Sequence, residues 1–129
     1  MGEFSVQVKN GWLDGLTAAT LYAALFVGDP AGAGVEISGG DYARKAIVTG
    51  DWSAASNAFK HNVNPVTFPR ANGVWSAANV THFALFDALT GGNRKASDDL
   101  PVAQQQPIVD GNTVEFAAGD VDLSISDPA

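Results

Sequence analysis

One short segment occurs twice, and it limits what this chain can build. Residues 20–29 read Thr-Leu-Tyr-Ala-Ala-Leu-Phe-Val-Gly-Asp, and residues 80–88 read Val-Thr-His-Phe-Ala-Leu-Phe-Asp-Ala. Each copy centres on Ala-Leu-Phe and runs into a glycine-rich turn, Gly28-Asp29-Pro30-Ala31-Gly32 after the first and Thr90-Gly91-Gly92-Asn93 after the second. In an extended chain Tyr22, Ala24 and Phe26 share one face, and Leu21, Ala23, Leu25 and Val27 share the other. A strand that is apolar on both faces is buried between two layers or lies at a subunit contact. Two copies about sixty residues apart do not make a solenoid. They predict two similar strands at the centre of a β core.

The rest of the chain supplies short strands and the turns between them. Tyr42–Val48 reads as a second strand. Val63–Phe68 reads as a third, confined to a sheet edge by Pro65 and Pro69. Val80–Phe86 is the central strand, and Thr113–Phe116 and Val121–Ile125 complete the set. The last alternates cleanly, with Val121, Leu123 and Ile125 inward and Asp122 and Ser124 outward. Asn72-Gly73, Asp110-Gly111 and Gly119-Asp120 are turn signals. Residues 28–40 and 53–62 read as loops, the first with a short strand at Val35-Glu36-Ile37, and residues 94–107 as an extended connection. Near the N-terminus Trp12, Leu13 and Leu16 have helical spacing, but Gly11 and Gly15 weaken a helix. The reading there is an extended arm over 4–8 and one helical turn near 11–18.

The predicted fold is therefore all-β: a compact sandwich or barrel of about 7–9 short strands with an N-terminal arm or short helix. Residues 1–19 form the arm and 20–129 a single β domain. The expected core takes Leu21, Tyr22, Leu25 and Phe26 from the first copy and Phe83, Leu85 and Phe86 from the second. Phe68, Phe116, Val121, Leu123 and Ile125 complete it.

Composition excludes several function classes. With 129 residues the chain can bury a core without covalent staples, and it has no cysteine for disulfides or thiolate metal sites. Fourteen acidic residues against seven Lys plus Arg disfavour nucleic acid, which needs clustered cations. The longest apolar run, Leu21 to Val27, is too short to span a bilayer, so no membrane role is expected. The residues Met1-Gly2-Glu3-Phe4-Ser5 do not read as an export signal.

The search for reaction chemistry returns no catalytic, cofactor or metal site. His82 lies mid-strand and His61 in a polar loop, without metal-ligand spacing between them. Asp120 and Asp122 share a strand face, but the surrounding residues lack a calcium-loop pattern and fit a solvated face better. Asp98-Asp99 reads as a solvated pair. The glycine-rich stretch Gly28–Gly40 lacks the strand-and-helix context of a phosphate loop. Asn79-Val80-Thr81 matches a glycosylation tripeptide that short sequences meet by chance. Trp12, Trp52 and Trp75 read first as packing anchors, with Trp52, Trp75 and Tyr42 as sugar-stacking platforms in a competing reading.

Five ordered blocks carry a resemblance. Residues 20–30 resemble the "TLYVALFTADP" opening of a family of small tailed-bacteriophage virion proteins. Glu36-Ile37-Ser38-Gly39-Gly40-Asp41-Tyr42-Ala43-Arg44 resembles its "EVSGGGYAR", and Val66-Thr67-Phe68-Pro69 its "ITFP". Val80-Thr81-His82-Phe83-Ala84-Leu85-Phe86-Asp87 resembles "VTHFGLFDAATGGN", and residues 114–121 the terminal "FAAGDL". The N-terminus and residues 94–107 depart from the pattern. The resemblance implies a non-enzymatic structural part of the virion, assembled in the host bacterial cytoplasm.

Two placements follow. The chain carries no repetitive stalk, which favours an exterior head decoration, or cement, protein that stabilises the capsid as a trimer or other homo-oligomer on the major capsid protein. The alternative is a tail-fibre or tail-tip component that meets other tail proteins, or a module that binds a host-surface glycan. The expected assembly contacts are Phe4, Val6, Trp12 and Leu16 in the arm and Pro30, Val35 and Ile37 in the loop. No cofactor is expected.

Overall fold

The computed structural model describes residues 5–125. Its elements follow in the order α1 (Val6–Thr17), β1 (Leu21–Val27), β2 (Val35–Glu36), β3 (Lys45–Ile47), β4 (Phe59–His61), β5 (Val66–Thr67), β6 (Ser76–Val80), β7 (His82–Phe86), β8 (Arg94–Asp99), β9 (Gln106–Ile108), β10 (Glu115–Phe116) and β11 (Asp122–Ser124). Short 3-10 turns sit at Thr49–Asp51 and Val102–Gln104. The architecture is all-β with an N-terminal helix, as the composition and strand pattern predict. Packing separates the described residues into two units, one of residues 21–46 and 67–115, the other of residues 5–20, 47–66 and 116–125.

In the larger unit the two Ala-Leu-Phe segments turn out to be partners. β1 and β7 pair antiparallel with Ala24 opposite Ala84, Leu25 opposite Phe83 and Ala23 opposite Leu85. They are the two inner strands of a sheet ordered β2-β1-β7-β8, with β3 also pairing with β1. Leu21, Ala23, Leu25 and Leu85 are at most 2% exposed, so the face they share is fully enclosed. On the other face the small Ala24–Ala84 pair leaves room for Phe26 and Phe86 to lean together, stacked at 6.0 Å with 5° between the rings. Phe86 and Tyr22 are half-buried. β6 pairs with β9, and Trp75, the residue before β6, is 3% exposed, with edge contacts to Tyr42 and Phe68.

The smaller unit joins α1 to the β4–β11 pair. Ser5 caps α1, its Oγ accepting the Val8 amide at 3.2 Å. Lys9, Leu13 and Thr17, four apart, form the buried face of the helix. Thr49 closes the other end by donating its hydroxyl to the Thr17 and Ala18 carbonyls at 2.8 and 3.0 Å. The Ser56–Phe59 turn that starts β4 holds Asn57 and Ala58 at φ 53° and 60°, and Asn10 Oδ1 accepts the Ala58 amide at 2.9 Å. Lys60, 5% exposed, reaches Asp14 at 2.8 Å.

The centre of this unit is Asn62, fully buried. Its Nδ2 donates to the Asn64 and Ala117 carbonyls at 2.9 and 3.0 Å, and its Oδ1 accepts the Gly119 and Val121 amides at 3.1 and 2.9 Å. All four hydrogen-bonding positions of the carboxamide are used. Val121 and Leu123 are buried and Ile125 is half-buried.

Several segments differ from the sequence reading. The arm expected to be extended over 4–8 is helical from Val6, and residue 4 lies outside the described residues. Gly11 and Gly15 face open space and do not stop the helix, because Ser5 nucleates it and its inner face packs. Of the strand expected at 42–48 only Lys45–Ile47 forms, since Tyr42 and Arg44 are turned to other partners. Residues 94–107 hold two strands and a 3-10 turn instead of an irregular connection.

Candidate functional site

A gathering of polar side chains in the larger unit surrounds Arg44. The chain reaches it through Ser38-Gly39-Gly40-Asp41-Tyr42, a run that needs its glycines. The Gly39 amide donates to the Trp75 carbonyl at 3.2 Å, and a side chain at 39 would collide with the Val74 and Trp75 carbonyls. Gly40 is left-handed at φ 52°. Asp41 then accepts the Trp75 indole N–H at 2.7 Å and the Asn72 amide at 3.0 Å. The Asn72 amide, followed by the indole, holds the Asp41 carboxyl below its usual pKa.

Past this anchor Tyr42 and Arg44 meet Glu36. The Tyr42 hydroxyl accepts the Leu25 amide at 3.1 Å and donates to Glu36 Oε2 at 2.7 Å. Arg44 forks onto the same carboxylate, Nε at 2.9 Å and Nη2 at 2.8 Å. Its Nη1 donates to the Ala88 and Gly91 carbonyls at 2.9 and 2.7 Å. The guanidinium lies 3.9 Å from the Phe86 ring centroid. Arg44 thereby ties β2, the Gly39–Arg44 run and the turn after β7 into one clasp. Beside it Asp87 accepts the Asn93 amide at 2.7 Å, closing that turn, and this bond lowers the Asp87 pKa.

A cleft of about 320 Å³ borders the clasp, lined by Glu36, Tyr42, Arg44, Leu89, Thr90 and Gly91. Burial pushes the Tyr42 phenol well above its usual pKa, and the bond to Glu36 raises Arg44 further. Neither group exchanges a proton near neutral pH, as a general acid or base must. The Glu36 carboxylate is engaged by three donors. What the cluster does chemically is hold loops.

The residues singled out in the sequence are dispersed. His82 Nδ1 lies 2.8 Å from Thr81 Oγ1, which accepts the Gly28 amide at 2.8 Å, so this pair fixes the turn after β1. His61 Nδ1 lies 3.4 Å from Ser53 Oγ in the other unit. Asp120 caps the Ala117 amide at 3.1 Å, and Asp122 is exposed on β11. Among the described residues no group of three or more His, Cys, Asp or Glu could hold a metal ion. Trp52 and Trp75 are 6% and 3% exposed, so neither offers a ring face to a sugar. Of the expected assembly contacts, Phe4 lies outside the described residues, and Val6, Trp12 and Val35 are 48%, 49% and 68% exposed. Leu16 and Pro30 are half-buried. Ile37 is 6% exposed with its amide bonded to the Leu25 carbonyl, which makes it a core residue and not an exposed contact.

The sequence places Tyr42 and Arg44 in one expected strand and Glu36 in a short one, but carries no signal that the three meet. It also gave Asn62 no role, since an asparagine in a polar loop carries no signal of burial. No curated protein sequence matches this chain. A family model described as podophage GP4 fiber I protein gp80 matches residues 10–124.

Proposed function

The chain belongs to the podophage GP4 fiber I protein gp80 family, and from that premise we propose that it is a non-enzymatic structural part of a podophage fibre. The observation that carries the reading is the extent of the match, which takes in both units. The family description supports the fibre over the exterior of the head, the placement that the missing stalk had favoured.

The chemistry of the clasp supports a structural role. Arg44, Glu36, Asp41, Asp87 and Thr81 are engaged by backbone amides and carbonyls and by neighbouring side chains. Loops so braced present a fixed surface, as an assembly part needs. The exposed apolar residues Val6, Trp12 and Val35 are the proposed contacts with other fibre proteins.

The test is immunogold electron microscopy of virions with antibody raised against the purified chain. Gold at the tail end, on the fibres, is the expected result. Gold distributed over the heads would return the protein to head decoration, and unlabelled virions containing no copy by mass spectrometry would remove it from the particle.

A further inference from the structure

β8 is the outer strand of the four-strand path and pairs only with β7 along it. Its residues are exposed, apart from the half-buried Ala96. Its sequence, Arg-Lys-Ala-Ser-Asp-Asp, places both cations at one end and both carboxylates at the other. The ladder alternation leaves alternate amides pointing outward. The Leu100 amide turns in to the Thr81 carbonyl at 2.8 Å, and the Leu25 amide and carbonyl turn away from β7 to Tyr42 and Ile37. Counting across the β1–β7 and β7–β8 registers, the Ser97 and Asp99 amides face away from the sheet. The Asp98 carboxylate caps the Asp99 amide at 2.8 Å, and the Ser97 amide lies at the middle of the open edge.

We propose that β8 is a self-recognition edge, where a second copy of this chain adds its own β8 antiparallel across a two-fold axis at Ser97. In that arrangement Lys95 of each copy lies directly opposite Asp99 of the other, and Arg94 is the diagonal neighbour of Asp98. Opposite charges across an antiparallel pair stabilise it, and like charges opposite one another destabilise it. A parallel alignment of the same strands sets cation on cation and acid on acid. Charges and bulges on an edge strand ordinarily guard it against indiscriminate pairing. β8 has both, with an irregularity where Lys95 is the extra residue between the Leu85 and Phe86 pairings. The separation of its charges by sign leaves one partner acceptable, an antiparallel copy of itself, which is the isologous contact of a two-fold dimer. The competing intrachain contact is loose: Lys95 reaches Asp87 at 3.9 Å with both side chains well exposed.

The experiment is sedimentation equilibrium of the full chain and three variants. The wild type is expected to dimerise. Arg94→Glu/Lys95→Glu makes the edge wholly acidic, and Asp98→Lys/Asp99→Lys makes it wholly basic. Each alone should weaken the dimer by about tenfold or more. Mixed together, the two should form a heterodimer, which also shows that both have folded. Ser97→Pro removes an outward donor without touching the β7 ladder, and should leave a folded monomer. A wild type that stays monomeric at its highest soluble concentration overturns the proposal. So does an oligomer whose mass and affinity ignore these changes, or a failure of the two folded charge variants to combine. The fibre assignment is independent of every one of these outcomes.

Discussion

Removing Arg44 is the most direct test of how the larger unit is held. The side chain is 7% exposed and its carboxylate partner 25%. Arg44→Met keeps much of the stem that packs near Phe86 while removing the charge and the four hydrogen bonds that the guanidinium donates. Stripping one partner from a buried ion pair costs about 3–5 kcal/mol. Glu36 is partly reached by water and keeps its bond from Tyr42, so the expected cost is lower, about 2–3 kcal/mol. For a chain of this size that lowers the melting temperature by about 8–12 °C. The assay is thermal and urea denaturation of the wild type, Arg44→Met, Glu36→Met and the double variant. If the cost is the stranded charge, the double variant should be at least about 1 kcal/mol more stable than the two single losses added together. Additive losses would refute this reasoning and reduce the clasp to independent surface contacts. A loss below about 0.5 kcal/mol for Arg44→Met would remove it altogether.

Two further outcomes rest on the same structure. Gly39→Ala should abolish stable folding or cost more than about 3 kcal/mol, because the new methyl meets the Val74 and Trp75 carbonyls, whereas Gly11→Ala, with open space around it in mid-helix, should stabilise by about 0.5–1 kcal/mol. Differential scanning calorimetry on the pair checks both signs. The Asp14, Asp41 and Asp87 carboxyls have pKa values lowered in the folded chain, chiefly by Lys60, by the Asn72 amide and by the Asn93 amide respectively. A depressed folded pKa contributes stability that is complete above the unfolded value near ~4 and is lost as pH falls through the folded one. The urea midpoint should therefore be level above about pH 5 and fall below about pH 4, with a shallower fall in Asp41→Asn.

The most readable parts of the fold were those where burial leaves a pattern. β1 and β7 stood out because both faces are apolar, and the structure adds that each is the other's neighbour. β11 was readable from strict alternation around Leu123. β8 was not, because an edge strand with six mostly exposed residues has no apolar period to detect. α1 was underestimated because propensity counted Gly11 and Gly15 against it, while its stability comes from Ser5 and the packing of Leu13 and Thr17. The clasp was half-legible: its residues lay in a recognisable motif, but a bond from Arg44 to the Gly91 carbonyl spans 47 positions, and nothing local announces it.

Asn62 has a consequence for the order in which the chain can fold. Its partners at Ala117 and Val121 lie 55 and 59 residues downstream. During synthesis the asparagine emerges long before them and has to remain solvated. Every residue of the β1–β7 unit is made earlier than Ala117, so that sheet can close first. The β4–β11 pairing must wait for the last of these segments, and closing so long a loop is slow. On the ribosome the bracket at Asn62 can therefore be completed only once residues 117–121 have emerged.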